Sequence, residues 1–98
     1  MKIKDLPKID RPREKLEKYG PERLSNSELL AILLRTGSKG INVVELSKRI
    51  LSKFSGDGLA KANVKELKNI FGLGRAKACG IVACFELGRR LLQKSNQF

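Results

Sequence analysis

The chain contains no histidine. That excludes a Ser-His-Asp triad, a Cys-His dyad or a histidine-based zinc hydrolase built from these residues alone. Cysteine is scarce as well, with only Cys79 and Cys84 present. On one helix a separation of five turns two side chains roughly 140° apart, so this pair cannot form a disulfide. Both cysteines read as small core residues in a reducing compartment. Aromatic residues are few, one Tyr and four Phe, and most fall at core spacing, which disfavours base stacking on single strands. The longest apolar run, Leu29 to Leu34, is far too short to cross a bilayer. The first residues, Met1-Lys2-Ile3-Lys4-Asp5-Leu6-Pro7, are charged and lead into no apolar stretch, so no signal peptide is recognised and the expected location is cytoplasmic. Neither a convincing strand nor a low-complexity tract is found.

Negative charge is the other scarcity. Ten Asp+Glu face 21 Lys+Arg, a formal charge of +11 in 98 residues. Such an excess suits nucleic acid, an anionic membrane surface or an acidic protein. It is uneven. Residues 1–23 carry 8 basic and 5 acidic side chains, whereas residues 68–98 carry 6 basic side chains and only Glu86. Most individual lysines read as an ordinary solvated helix surface. The excess after residue 68 coincides with the most informative stretch of the chain.

That stretch is Leu67-Lys68-Asn69-Ile70-Phe71-Gly72-Leu73-Gly74-Arg75-Ala76-Lys77-Ala78. It reads as the end of one helix, a Gly-Leu-Gly turn and the basic start of a longer helix. Gly72 and Gly74 allow a sharp turn and remove side chains that would hold a phosphate away. The N–H groups that open the next helix have no intrahelical partner, and the helix dipole makes that end electropositive. An anion is favoured there. The amides of Gly74, Arg75 and Ala76 are the expected phosphate cradle, with Arg75 and Lys77 adding charge and Leu73 pointing inward as an anchor. The alternative is a helix corner that only turns the chain.

The remaining punctuation is helical throughout. Asp10-Arg11-Pro12 starts a helix that Tyr19-Gly20-Pro21 ends. Ser25 with Glu28 makes a capping box ahead of Leu29, Leu30, Ile32, Leu33 and Leu34, a helix apolar on most sides and expected at the centre of the core. Arg35 to Asn42 form a polar turn. Asn42 caps a helix whose core face is Val43, Leu46, Ile50 and Phe54. Residues 58–62 make a short connector, and Asn63 with Glu66 caps a short helix from Val64 to Ile70. The last helix runs from Arg75 to about Gln93, with Ala78, Ile81, Val82, Phe85 and Leu92 as its core face. The expectation is an all-α fold, a compact bundle of about five helices with a long C-terminal helix. Residues 1–11 are expected to be extended, 12–93 a single helical domain, and 94–98 a frayed tail or linker start. Within the domain, helix–turn–helix layouts at 26–54 and 64–93 form a pseudo-repeat about the connector. Arg35, Ser38 and Lys39 at the first turn are candidates for a second set of phosphate contacts.

The short-helix, Gly-Leu-Gly, long-helix pattern, with Ile70 two before Gly72 and Ala78 four after Gly74, resembles the helix-hairpin-helix motif. Two such units with a connector are similar to the tandem helix-hairpin-helix domain of DNA repair and recombination proteins. Arg11-Pro12-Arg13-Glu14-Lys15-Leu16, then Leu24-Ser25-Asn26-Ser27-Glu28-Leu29 through Thr36-Gly37, then Phe85-Glu86-Leu87-Gly88-Arg89-Arg90, resemble the N-terminal region of the bacterial RadC family over nearly the whole chain. The resemblance implies sequence-nonspecific binding of duplex or branched DNA through phosphates and an association with DNA repair; no cofactor and no membrane partner are expected for these residues. Members of that family usually continue into a JAB/MPN-type domain with zinc-hydrolase ligands. This chain is therefore expected to be an excised or naturally shortened N-terminal domain. The metallopeptidase-like activity is not carried over to these residues, and the chain itself is expected not to be an enzyme. A docking module that positions such a domain is the alternative function. Phe71 departs from the hairpin pattern, standing where a small or polar residue is usual. It either packs inward or hinders a phosphate.

Two enzymatic or base-reading alternatives are weaker. A glycosylase or lyase needs a carboxylate beyond the hairpin, and the only acid after Gly74 is Glu86, better read as an ion-pair partner of Arg89 or Arg90. A helix-turn-helix reader on residues 26–54 would offer Asn42, Glu45, Ser47, Lys48 and Arg49, a thin set for base edges.

Overall fold

The computed structural model describes residues 10–38, 40–70 and 72–94. Among them lie six helices: α1 (Asp10–Tyr19), α2 (Asn26–Leu34), α3 (Val43–Lys53), α4 (Gly58–Lys61), α5 (Val64–Lys68) and α6 (Arg75–Lys94), with a 3-10 turn at Pro21–Arg23 between α1 and α2. The fold is all-α, and α6 is the long C-terminal helix that the sequence predicts. The only β-type pairing among the described residues is an isolated bridge between Ser38 and Ile41. The expectations of an extended segment before the first helix and a frayed tail fall largely on residues 1–9 and 95–98, outside the described residues. The first helix starts at Asp10.

Local signals set the helix ends. Gly20, at φ +88, closes α1 with Pro21 behind it. At α2 the Glu28 N–H donates to Ser25 Oγ at 3.2 Å and the Ser25 N–H donates to the Glu28 carboxylate at 2.9 Å. Lys15 reaches across from α1 to the same carboxylate at 3.2 Å. The Ser25 N–H, more than Lys15, holds Glu28 below the usual carboxylate range, against a partial desolvation that opposes it. Asn42 caps α3 by accepting from the Glu45 N–H, and Asn63 and Glu66 form a second reciprocal box at α5.

The core lies where α2 and α3 pack together and where α5 and the first half of α6 close over them. Leu46, Ile50, Leu67 and Ile81 are its largest fully buried apolar side chains. Ser47 is also fully buried, its hydroxyl donating to the Val43 carbonyl at 2.8 Å, so it is unavailable for base reading.

Three sequence expectations are corrected here. Helix α2 is not enclosed: Leu30, Ala31 and Leu34 are buried, but Leu29 and Leu33, one turn apart on another face, are 38% and 41% exposed. The apolar stripe of α6 is buried only at Ala78 and Ile81, while Phe85 is 38% and Leu92 73% exposed. Cys79 and Cys84 are both free thiols on the surface, not core residues. For Phe85, Leu92 and Cys84 the cause is length, whereas Cys79 and Leu29 with Leu33 lie on faces turned away from the core. At 1.5 Å per residue α6 extends about 30 Å, and the short helices beneath it cover only its first turns.

Candidate nucleic-acid interface

The turn between α2 and α3 begins with an unusual backbone. Arg35 has φ 73 and ψ −45, and the Thr36 N–H donates to the Leu34 carbonyl at 2.9 Å. This is a γ-turn of the rare, strained hand, and Arg35 is the only non-glycine residue with positive φ among the described residues. Ser38 and Ile41 then exchange both backbone hydrogen bonds at 2.9 Å. Gly37 is pressed against this tight loop: a Cβ there would sit 2.2 Å from the Ile41 carbonyl oxygen. Lys39, inside the loop, lies outside the described residues.

The turn between α5 and α6 is stepped by two bonds, Ile70 N–H to Leu67 O and Leu73 N–H to Ile70 O, each 3.1 Å. Leu73 is buried, the inward anchor the sequence predicts. Gly72 has φ +90, and a Cβ on it would meet the Ser38 Cβ at 3.2 Å. Gly74 differs. It is not among the glycines with positive φ, and a Cβ on it would meet nothing within 4 Å. Gly72 therefore makes the turn and Gly74 leaves the space. The Ala78 N–H donates to Gly74 O at 3.0 Å, the first bond of α6, so the Arg75, Ala76 and Lys77 amides precede the helical ladder. Phe71 lies outside the described residues.

The two turns are neighbours. Ser38, Lys68, Asn69, Gly72 and Gly74 line one shallow depression. Beside it Arg35, Ala76, Lys77 and Gly80 line another. Lys77 Nζ donates to Thr36 Oγ1 at 2.8 Å and ties the start of α6 to the first turn. Six of the eight sequence-predicted residues, Arg35, Ser38, Gly72, Gly74, Ala76 and Lys77, thus line this one junction, and Arg75 stands exposed at its edge. Lys68 and Asn69 were not anticipated as site residues. Their signal was position, in the last turn before Gly72. None of Arg35, Lys68, Arg75 or Lys77 forms an ion pair with a described residue. By contrast Arg89 and Arg90 both bind Glu86, whose carboxylate Arg89, then Arg90, pulls down from 4.5 to about 2. Glu86 is committed to that pairing. Among the described residues no three His, Cys, Asp or Glu side chains gather as metal ligands, and no helix is long and apolar enough to cross a membrane.

These features define a basic, all-α domain with two packed inter-helix turns. The chain belongs to the UPF0758 family: the family described as UPF0758 N-terminal, the N-terminal region of RadC-family proteins, matches residues 3–79. It is 55% identical over 91 residues to a UPF0758 protein of Methanosarcina barkeri, covering 93% of this chain and 40% of that protein. A UPF0758 protein of Bacillus licheniformis is 56% identical over 92 residues, covering 93% of this chain and 41% of the relative. One from Clostridium botulinum is 54% identical, covering 92% and 40%. The chain thus spans about two fifths of the length of these relatives, which come from archaea as well as bacteria. No solved structure matches it.

Proposed function

We propose that this domain binds DNA without sequence preference, holding backbone phosphates at the junction of the two turns. The observation that carries the reading is the convergence there of open backbone at Gly74, the first amides of α6, and Arg35, Lys68 and Lys77, with Arg75 exposed alongside, none of them paired with a carboxylate among the described residues. The helix start favours an anion, and Arg35, Lys68, Arg75 and Lys77 add charge of the same sign. The strained Arg35 backbone supports it, because such strain persists mainly where function requires the conformation. In this reading α5, its turn and α6 act as a helix-hairpin-helix unit, and the contacts position the protein but read no bases. A role in DNA repair or recombination, in the cytoplasm, fits that binding mode. No catalytic step is assigned to this chain.

The test is fluorescence anisotropy with labelled duplex DNA, comparing the parent with the double charge reversal Arg75→Glu/Lys77→Glu. With ~3–5 phosphates neutralised, log K should fall against log salt with a slope between about −2.7 and −4.5, and the double variant should lose most of the affinity. Binding indifferent to both salt and those charges contradicts the reading.

A second reading is that the domain also positions a further folded domain, of JAB/MPN type, in the longer family members. The length of the relatives favours it.

A further inference from the structure

Helix α6 is apolar on two opposite sides. One stripe, Ala78, Ile81, Val82 and Phe85, faces the bundle. At 100° per residue, Ala76, Gly80, Ala83, Leu87 and Leu91 fall on the opposite side, and all five are exposed. In the distal half of α6 the polar side chains gather on one flank, where Glu86 pairs with Arg89 and Arg90 and Arg89 bonds to Gln93. On the other flank, beyond Lys77 and Arg35 at the start of the helix, the surface continues onto α2 without charge: Leu29, Leu33, Cys84 and Phe85 line one groove. An apolar face opposite the one packed on the bundle is more than a single-sided surface helix needs. Leu87 and Leu91, 58% and 60% exposed, stand as ridges beside that groove.

We propose that this face of α6 and α2 is the seat of the chain that follows the N-terminal region in the longer UPF0758 proteins. The proposal rests on the second reading above and is independent of DNA binding. Two observations select this occupant. About three fifths of each relative lies outside the matched region, and the exposed leucines sit at the C-terminal end of the last helix, where a tethered domain acts at high effective concentration. A second copy is disfavoured by the repulsion of two chains each carrying +11.

The two thiols report on the interface. Cys84 lines the groove, whereas Cys79 lies on the polar flank. The experiment joins this chain to the portion that follows the matching region in the Bacillus licheniformis relative and times maleimide modification of each cysteine by mass spectrometry. In the chain alone both thiols should react. In the joined protein Cys84 should slow at least about tenfold and Cys79 should not. Leu87→Glu, at an exposed position, should restore Cys84. An unchanged Cys84 rate alongside a separate cooperative unfolding transition of the added portion overturns this interface while leaving the second reading intact. An intact relative that shows no folded portion beyond its N-terminal region overturns both. Protection of Cys84 that rises with concentration in the chain alone assigns the face to a second copy and also overturns the proposal. The intact relative, with cysteine at its counterparts of Leu33 and Leu87, gives the same comparison if the joined protein does not fold.

Discussion

Arg35 places a charged side chain where glycine would be easier. Its left-handed γ-turn costs about 1–3 kcal/mol in a non-glycine residue. The phosphate-site reading accounts for the choice: the guanidinium is wanted beside Ala76 and Lys77, and the backbone bears the strain. Arg35→Gly should therefore hold or raise thermal stability, by up to about 1 kcal/mol, and weaken DNA binding. Denaturant melts and anisotropy on the same sample check this. A loss of stability with unchanged affinity would make Arg35 a structural residue only. The glycines divide in the same way. Gly37 is fixed by its contact with the Ile41 carbonyl and Gly72 by φ +90 against Ser38, whereas nothing in the fold requires Gly74 to lack a side chain. Sequence pattern marked Gly72 and Gly74 alike, because the two roles share one residue type.

At the scale of elements, α6 separates what was legible from what was not. Its start, its inward Ala78 and Ile81, and the Glu86 ion pairs follow from spacing and charge. So do the capping residues Ser25, Asn42 and Asn63, because a cap is set by neighbours three residues away. The exposure of Phe85, Leu92 and Cys84 could not be read, since periodicity tells which residues share a face but not how far the partner helices extend beneath it. The same holds for Leu29 and Leu33 on α2. The distal half of α6 gains support from Glu86 with Arg89 and Arg90. That carboxylate is lowered from 4.5 to about 2, so its contribution is complete above about pH 4.5 and is lost as pH falls through about 2. A carbon-detected NMR titration should place the Glu86 midpoint near 2, and Arg89→Ala should return it toward the ordinary range. A midpoint already ordinary in the parent would mean that the pairs do not persist in solution.

Across the whole molecule, the charge, the paired turns and the uncovered face of α6 and α2 divide the surface by chemistry. The end formed by the two turns is cationic and has open backbone. The face running from α2 along the distal half of α6 is apolar and almost uncharged. Composition showed the charge excess and its drift toward the second half of the chain. The contact of Gly72 with Ser38 brings two distant segments into one site, and it required the packing of α2, α3 and α5 to become visible. The central claim is that a phosphate sits at the start of α6. The most direct measurement is an amide-resolved NMR titration of the chain with a short DNA duplex at low salt. The account predicts the largest shifts at Gly74, Arg75 and Ala76, with smaller ones at Ser38. Shifts confined to other helices, or none at saturating DNA, would contradict it.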